Sequence, residues 1–284
     1  MTNNALEIKN LDSKISDFSL SGINFSIEKG TIMGFIGKNG SGKTTLIKTM
    51  LNMLEKTAGE VLFDGLPMFG NEETVKAKIG VVFDSLIYPL NLKPIKIKKM
   101  ISPFYKTFDS EKFDELMKRF ELNPSKKLSS YSKGMQMKFG VVMALCHNPE
   151  LIILDEPTAG LDPIARAEVI DLLLELMQNE SRSILFSTHI TSDLEKIADY
   201  ITMIDNGKIV FTKGKDEMLD TYILAHIERE AMTDAIKSKF IGLKETAFGF
   251  EGLCTNRLIL KDLVGVKTAR PTIEDIMVCM GAKK

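Results

Sequence analysis

The chain has 284 residues, 44% of them hydrophobic and 26% charged, enough to bury a large core as one domain with additions or as two domains. A formal net charge of −1 argues against a basic field over the whole molecule, so no nucleic-acid partner is expected. No apolar run approaches the roughly 18 residues of a membrane helix, and the N-terminal MTNNALEIKN lacks a signal-peptide core, so any membrane role has to come through a partner.

In chain order, LEIKNL and INFSIEKGTIMGFIG carry the alternation and β-branching of strands, with a turn at Glu28-Lys29-Gly30. A helix is predicted from Lys43 to about Leu54, then strands at GEVLFDG and KIGVVF. From about Leu90 to Leu145 the pattern is helical, broken at Pro94, Pro103 and Pro124. LIILDEP opens on four consecutive apolar residues, the mark of a strand covered on both faces. A helix over 163–178, strand SILFST, a helix near 192–198 with Ser192 and Glu195 as a capping box, and strand YITMID follow. Asn206-Gly207 predicts a hairpin turn before KIVF. Residues 216–284 read as an extension of uncertain fold, with a helix after Pro271. The class is α/β with a mainly parallel sheet and a helical insertion at about 88–146. Cys146, Cys254 and Cys279 are widely separated and odd in number, which fits a reducing compartment.

GKNGSGKTT matches G-x-x-x-x-G-K-[ST], with Gly37, Gly42, Lys43 and Thr44 at the defining positions. Between them lie Lys38, Asn39, Gly40 and Ser41, and Thr45 follows. The glycines let successive backbone N–H groups turn inward onto phosphate oxygens, and the helix that follows presents its positive end. Lys43 is expected on the β- and γ-phosphates and the Thr44 hydroxyl on Mg²⁺. The stretch also sits between a predicted strand and a predicted helix, as that mechanism demands. In LIILDEP, Asp155 and Glu156 emerge at a strand end, the edge where open α/β sheets bind ligands. Asp155 is suited to the metal, through water, and Glu156 to polarising an attacking water. An acidic turn before Pro157 is the plainer alternative.

The phosphate loop, YSKGMQ, LIILDEPTAGLDP and STHI, in that order, resemble the ATP-binding subunit of ABC transporters over roughly residues 4–215. The form YSKGM is most similar to type-two ABC exporters, which move drugs, peptides or lipids. The resemblance implies a phosphate-loop NTPase core, an N-terminal antiparallel β-subdomain and an inserted helical subdomain. It implies ATP as substrate, Mg²⁺ as cofactor, a second ATP-binding subunit and an integral membrane permease as partners, and a peripheral location on the cytoplasmic face of the membrane. Two subunits would meet head to tail, so Ser132, Lys133, Gly134 and Met135 would act in trans on the partner's ATP. His189 would contact the γ-phosphate, and Asp162 would sit in a loop that communicates across the dimer while also capping a helix before Pro163.

The sequence departs from that pattern twice. Asp84 stands after GVVF where most members place a Gln, and a carboxylate there is expected to ligate Mg²⁺. The aromatic expected on adenine is Phe18, although the register also allows Ile15. The lysines of SLIYPLNLKPIKIKK would transmit closure to the permease or simply form a solvated face. A non-transport ATPase of translation or chromosome maintenance would call for two such domains, a long coiled coil or a basic face. A small-molecule kinase would leave YSKGM and His189 without work. The cargo, and whether the second ATPase is identical, are not written in these residues.

Overall fold

The computed structural model describes residues 3–178, 182–255 and 265–281. Strands β1 (Asn4–Ile15) and β2 (Phe18–Glu28) form an antiparallel hairpin, followed by β3 (Ile32–Ile36) and helix α1 (Lys43–Met50). Next come β4 (Ala58–Phe63), β5 (Leu66–Pro67), α2 (Glu72–Lys76) and β6 (Ile79–Val82). The helical insertion contains α3 (Pro94–Ile101), α4 (Ser110–Arg119) and α5 (Lys133–Leu145). It is followed by β7 (Leu151–Asp155), α6 (Pro163–Leu176), β8 (Ser183–Thr188), α7 (Thr191–Ile197), β9 (Tyr200–Asp205) and β10 (Lys208–Gly214).

Two sheets carry this part of the chain. One is antiparallel, in the order β2-β1-β4-β5. The other runs β10-β9-β3-β8-β7-β6, with every pair parallel except the β10–β9 hairpin. That hairpin closes at Asn206 and Gly207, both left-handed (φ 46° and 72°), as the sequence predicts.

The middle of each central strand is apolar because both faces are covered. Met33 and Phe35 of β3, Ile153 of β7 and Leu185 of β8 pack with α1 and the antiparallel sheet. Their alternating neighbours Ile32, Ile36, Ile152, Leu154, Ile184 and Phe186 pack with the helical insertion, α6 and α7 on the other side. Pro94 starts a helix at its first turn, where a missing N–H does no harm, and so does Pro163.

The extension is built of α8 (Lys215–Thr221), β11 (Ile223–Glu228), α9 (Asp234–Lys237), β12 (Gly242–Thr246), β13 (Gly249–Cys254), β14 (Val266–Ala269) and α10 (Ile273–Gly281). Its strands form an antiparallel sheet in the order β12-β13-β11-β14. The helix foreseen after Pro271 is α10, which packs on α7, β12 and β13. Met218, Leu224, Leu253, Ile273 and Ile276 join the same buried cluster as Leu194 and Ile197 of α7. Ile276 is fully buried there. Ile276→Ala should therefore cost about 2–5 kcal/mol, the range for a truncated core aliphatic. Urea unfolding followed on the ATP-binding part should show the midpoint fall. An unchanged midpoint would mean that the extension folds apart from the core.

Candidate active site

Parallel pairing sets the site. Ile36 lies opposite Thr188, and Asp155 opposite Ser187, so β3, β8 and β7 end at one edge. The phosphate loop, His189 and Glu156 immediately follow these strands, and Asp155 is the last residue of β7. The loop between β3 and α1 is tight. A Cβ at Gly37 would lie 2.4 Å from Ser41 Oγ and 2.5 Å from the Ile204 carbonyl oxygen. Gly42 adopts φ +109° just before α1, a conformation open to glycine alone at little cost. Among the described residues, Ser41 Oγ is the one buried side-chain polar atom with no hydrogen-bond partner.

The charged groups face each other across this edge. Lys43 Nζ donates to the Gly37 carbonyl oxygen at 2.7 Å and lies 3.2 Å from Glu156 Oε1. Thr44 Oγ1 donates to Asp155 Oδ2 at 2.6 Å, and Ser187 Oγ to Asp155 Oδ1 at 3.0 Å. Glu156 has a left-handed backbone, φ 53°, unusual for a side chain of its size. Its N–H still pairs with the Ser187 carbonyl oxygen at 2.9 Å. The turn that follows keeps its carboxylate on the edge, where Oε2 lies 2.7 Å from His189 Nδ1 and accepts from the His189 N–H at 3.3 Å. A cleft of about 530 Å³ is lined by Asn39, Gly40, Gly42, Lys43, Thr44 and Thr45 on one side. Phe18, Asp84, Lys133, Glu156, Ala159 and His189 line the rest.

The comparisons with known proteins agree with this geometry. The ABC transporter family model matches residues 20–159. YdbJ of Bacillus subtilis (strain 168), an uncharacterized ABC transporter ATP-binding protein, is 32% identical over 225 residues, 77% of this chain and 73% of that protein. The chain belongs to the ABC transporter ATP-binding family. The bacitracin transport ATP-binding protein BcrA of Bacillus licheniformis is 33% identical over 197 residues, 69% of this chain and 64% of its own length. A solved structure of the ATP-binding subunit of an ABC transporter superposes with a TM-score of 0.69 at 26% identity, over 75% of this chain and 91% of that one. As in its family, the chain is an ATPase subunit of a transport system.

Within that ABC fold, the signature residues stand apart from the cleft of their own subunit, with one exception. Ser132 is the N-cap of α5, accepting from the Met135 N–H at 3.2 Å, and is exposed. Neither Ser132, Gly134 nor Met135 lines the cleft. Lys133 lines its edge and also the neighbouring pocket with Gln136 and Leu161. Asp162 caps α6, accepting from the Ile164 and Ala165 N–H groups at 3.0 and 2.9 Å. These bonds hold its carboxyl below the usual range. Asp84 is exposed on the cleft wall. The Phe18 ring packs so close to Gly42 that a Cβ there would be 2.7 Å from its Cζ.

The capping box foreseen at Ser192 and Glu195 does not form. α7 starts at Thr191 with no side-chain cap; Ser192 Oγ instead accepts from Arg166 at 2.8 Å, and Glu195 Oε1 from the Ile273 N–H at 3.2 Å. Sequence reasoning also missed a buried network behind the site. Asp193 accepts from Arg166 Nε at 2.6 Å and from Thr158 Oγ1 at 2.7 Å, tying the turn after Glu156 to the helix after His189. An arginine on α6 and an aspartate on α7 carry no local signal of meeting. Ser187, within strand SILFST, likewise carries no local signal of its bond to Asp155. His147 is buried, with Nε2 3.0 Å from the Ile79 carbonyl oxygen and its ring stacked on Tyr105.

Asp155 is fully buried, and that burial pushes its carboxyl above the ordinary range. Hydrogen bonds from Thr44 and Ser187 oppose the shift, while the charges of Asp84 and Glu156 add to it. A carboxyl with a raised folded-state pKa binds protons more readily in the native chain. Stability is therefore lost as pH rises from the ordinary to the raised value, and ionised Asp155 destabilises the fold at neutral pH. Nucleotide-free Asp155→Asn should resist urea better than the parent at neutral pH, with the gain shrinking on acidification. A less stable Asn variant at neutral pH would contradict this.

Proposed function

We propose that this subunit binds Mg·ATP in the cleft at the ends of β3, β7 and β8, closes on a second ATP-binding subunit, and hydrolyses ATP to drive export through a separate membrane permease. The observation that carries the reading is the convergence of Lys43, Thr44, Asp155, Glu156 and His189 on one edge. Lys43 would bind the β- and γ-phosphates, aided by the backbone N–H groups of residues 38–45. Thr44 and Asp155, already in contact, offer two hard oxygens, and Asp84 a third across the cleft. That donor set suits Mg²⁺, which commonly takes few protein ligands and completes its octahedron with water and phosphate oxygens. Bound there, Mg²⁺ would offset charge developing on the phosphate oxygens. Glu156 would orient the attacking water, held in place by His189, whose ring would also reach the γ-phosphate. Catalysis of this kind is mostly positioning and charge stabilisation.

Export of a peptide antibiotic or a similar amphiphile is favoured by the likeness to the bacitracin transport protein BcrA. The lantibiotic transport protein SrtF of Streptococcus pyogenes, 32% identical over 213 residues, points the same way. No helix among the described residues is long and apolar enough to cross a membrane. Members of the family work with membrane permease subunits, and this subunit would sit against one on the cytoplasmic face. Nothing in these likenesses supports the alternative in translation or chromosome maintenance.

Phosphate release by the purified protein with Mg·ATP tests the reading. Glu156→Gln should lower the turnover by about a hundredfold or more while ATP binding persists, as expected for loss of the group that handles the attacking water. Hydrolysis untouched by that change would refute the assignment. Asp84→Gln should raise the Mg²⁺ concentration needed for half-maximal turnover severalfold. An unchanged Mg²⁺ requirement would remove Asp84 from the metal shell.

A further inference from the structure

Glu156 and His189 reach each other from two separate loops at the sheet edge, and little holds either loop from the solvent side. His189 is exposed, α7 begins at Thr191 without a side-chain cap, and Glu156 sits in a left-handed turn. The order comes from behind. Two residues after Glu156, Thr158 Oγ1 donates to Asp193 Oδ2 at 2.7 Å, and Asp193 stands four residues after His189. Thr158 and Asp193 are each only 1% exposed. Arg166 of α6 donates from Nε to the other carboxylate oxygen, Oδ1, at 2.6 Å and from Nη2 to Ser192 Oγ at 2.8 Å. A planar guanidinium held at two points fixes the plane of the carboxylate, so Oδ2 is aimed at Thr158. The two segments are thus joined twice. Glu156 Oε2 and His189 Nδ1 meet in front, 2.7 Å apart, and Thr158 and Asp193 meet behind. Neither Thr158 nor Asp193 lines the cleft, so both would act only through the residues that do.

We propose that the buried Thr158–Asp193 bond sets the geometry of Glu156 against His189 that hydrolysis requires. This rests on the proposed ATPase reading of the same cleft. Thr158 and Asp193 are positioning residues, and the chemistry stays with Glu156. Lys43 and Thr44 are held by other contacts, to the Gly37 carbonyl oxygen and to Asp155, so ATP binding does not depend on this bond.

Substitutions at Thr158 isolate the hydroxyl. Thr158→Val keeps the shape without it, Thr158→Ala removes it without adding bulk, and Thr158→Ser retains it while losing a methyl. In Mg·ATP-dependent phosphate release, Thr158→Val and Thr158→Ala should each lower kcat about tenfold, the order expected for a buried bond to a charged group, with the KM for ATP within about twofold. Thr158→Ser should stay near the parent. The reverse order, with Val active and Ser impaired, would mark Thr158 as packing alone and overturn the proposal, as would Ala and Ser variants of equal kcat. A second measurement needs no turnover. In nitrogen-labelled histidine spectra of the nucleotide-free chain, the His189 imidazole signals are identified by their loss in His189→Ala. Thr158→Ala should move them in the direction that Glu156→Gln does and leave those of His226 in place. Unmoved His189 signals would overturn the proposal. A parent chain that releases no phosphate from Mg·ATP would instead refute the ATPase reading, and the proposal with it.

Discussion

The chemistry of this subunit depends on the parallel pairing of β3, β8 and β7. Because Ile36 stands opposite Thr188 and Asp155 opposite Ser187, three strands end level with one another. The phosphate loop, His189 and the two carboxylates are then neighbours in space while far apart in the chain. A slip of one residue in β7 would turn Asp155 to the other face of the sheet and break its bonds to Thr44 and Ser187. The strands hold this register because both faces are buried: Met33, Phe35, Ile153 and Leu185 pack on one side, Ile152, Leu154, Ile184 and Phe186 on the other.

The same edge carries features that oppose stability. Asp155 is a buried carboxylate, and Glu156 holds a left-handed backbone that costs on the order of 1–3 kcal/mol. Both persist because the surrounding sheet over-determines them, and both would place oxygen atoms where the proposed phosphate and metal chemistry needs them. The Arg166–Asp193–Thr158 network does related work behind the site, fixing the turn after Glu156 against the helix that follows His189. The signature at the start of α5 is held differently. Ser132 is exposed and caps the helix, Gly134 packs near Leu161, and Lys133 lies along Gly160. The signature and the loop leading to Asp162 are therefore in contact within one subunit, so movement in either is felt by the other.

Much of this was legible in the sequence, for local reasons. The phosphate loop declares itself because its glycines and lysine act through backbone geometry over nine residues. The covered strands declare themselves as unbroken apolar runs, and Asp162-Pro163 and Asn206-Gly207 are turn chemistry that admits few alternatives. What escaped depends on distant partners. α1 ends at Met50 rather than near Leu54, because Asn52 turns left-handed. Ser192 and Glu195 have capping-box spacing, yet Arg166 and the Ile273 N–H claim their side chains. The extension after residue 216 is made of short strands with no motif, and only packing on α7 reveals where it belongs.

The central proposal is that each reaction centre is divided between two chains, with an edge of β3, β7 and β8 from one and Ser132 and Gly134 from the other. Sedimentation velocity of the Glu156→Gln subunit, with and without Mg·ATP, measures this directly. The expected result is a single chain without nucleotide and a pair with it, and no pair when Gly134→Glu is added. A subunit that stays single with Mg·ATP bound, and whose parent hydrolyses ATP at a rate per chain independent of concentration, would contradict the account.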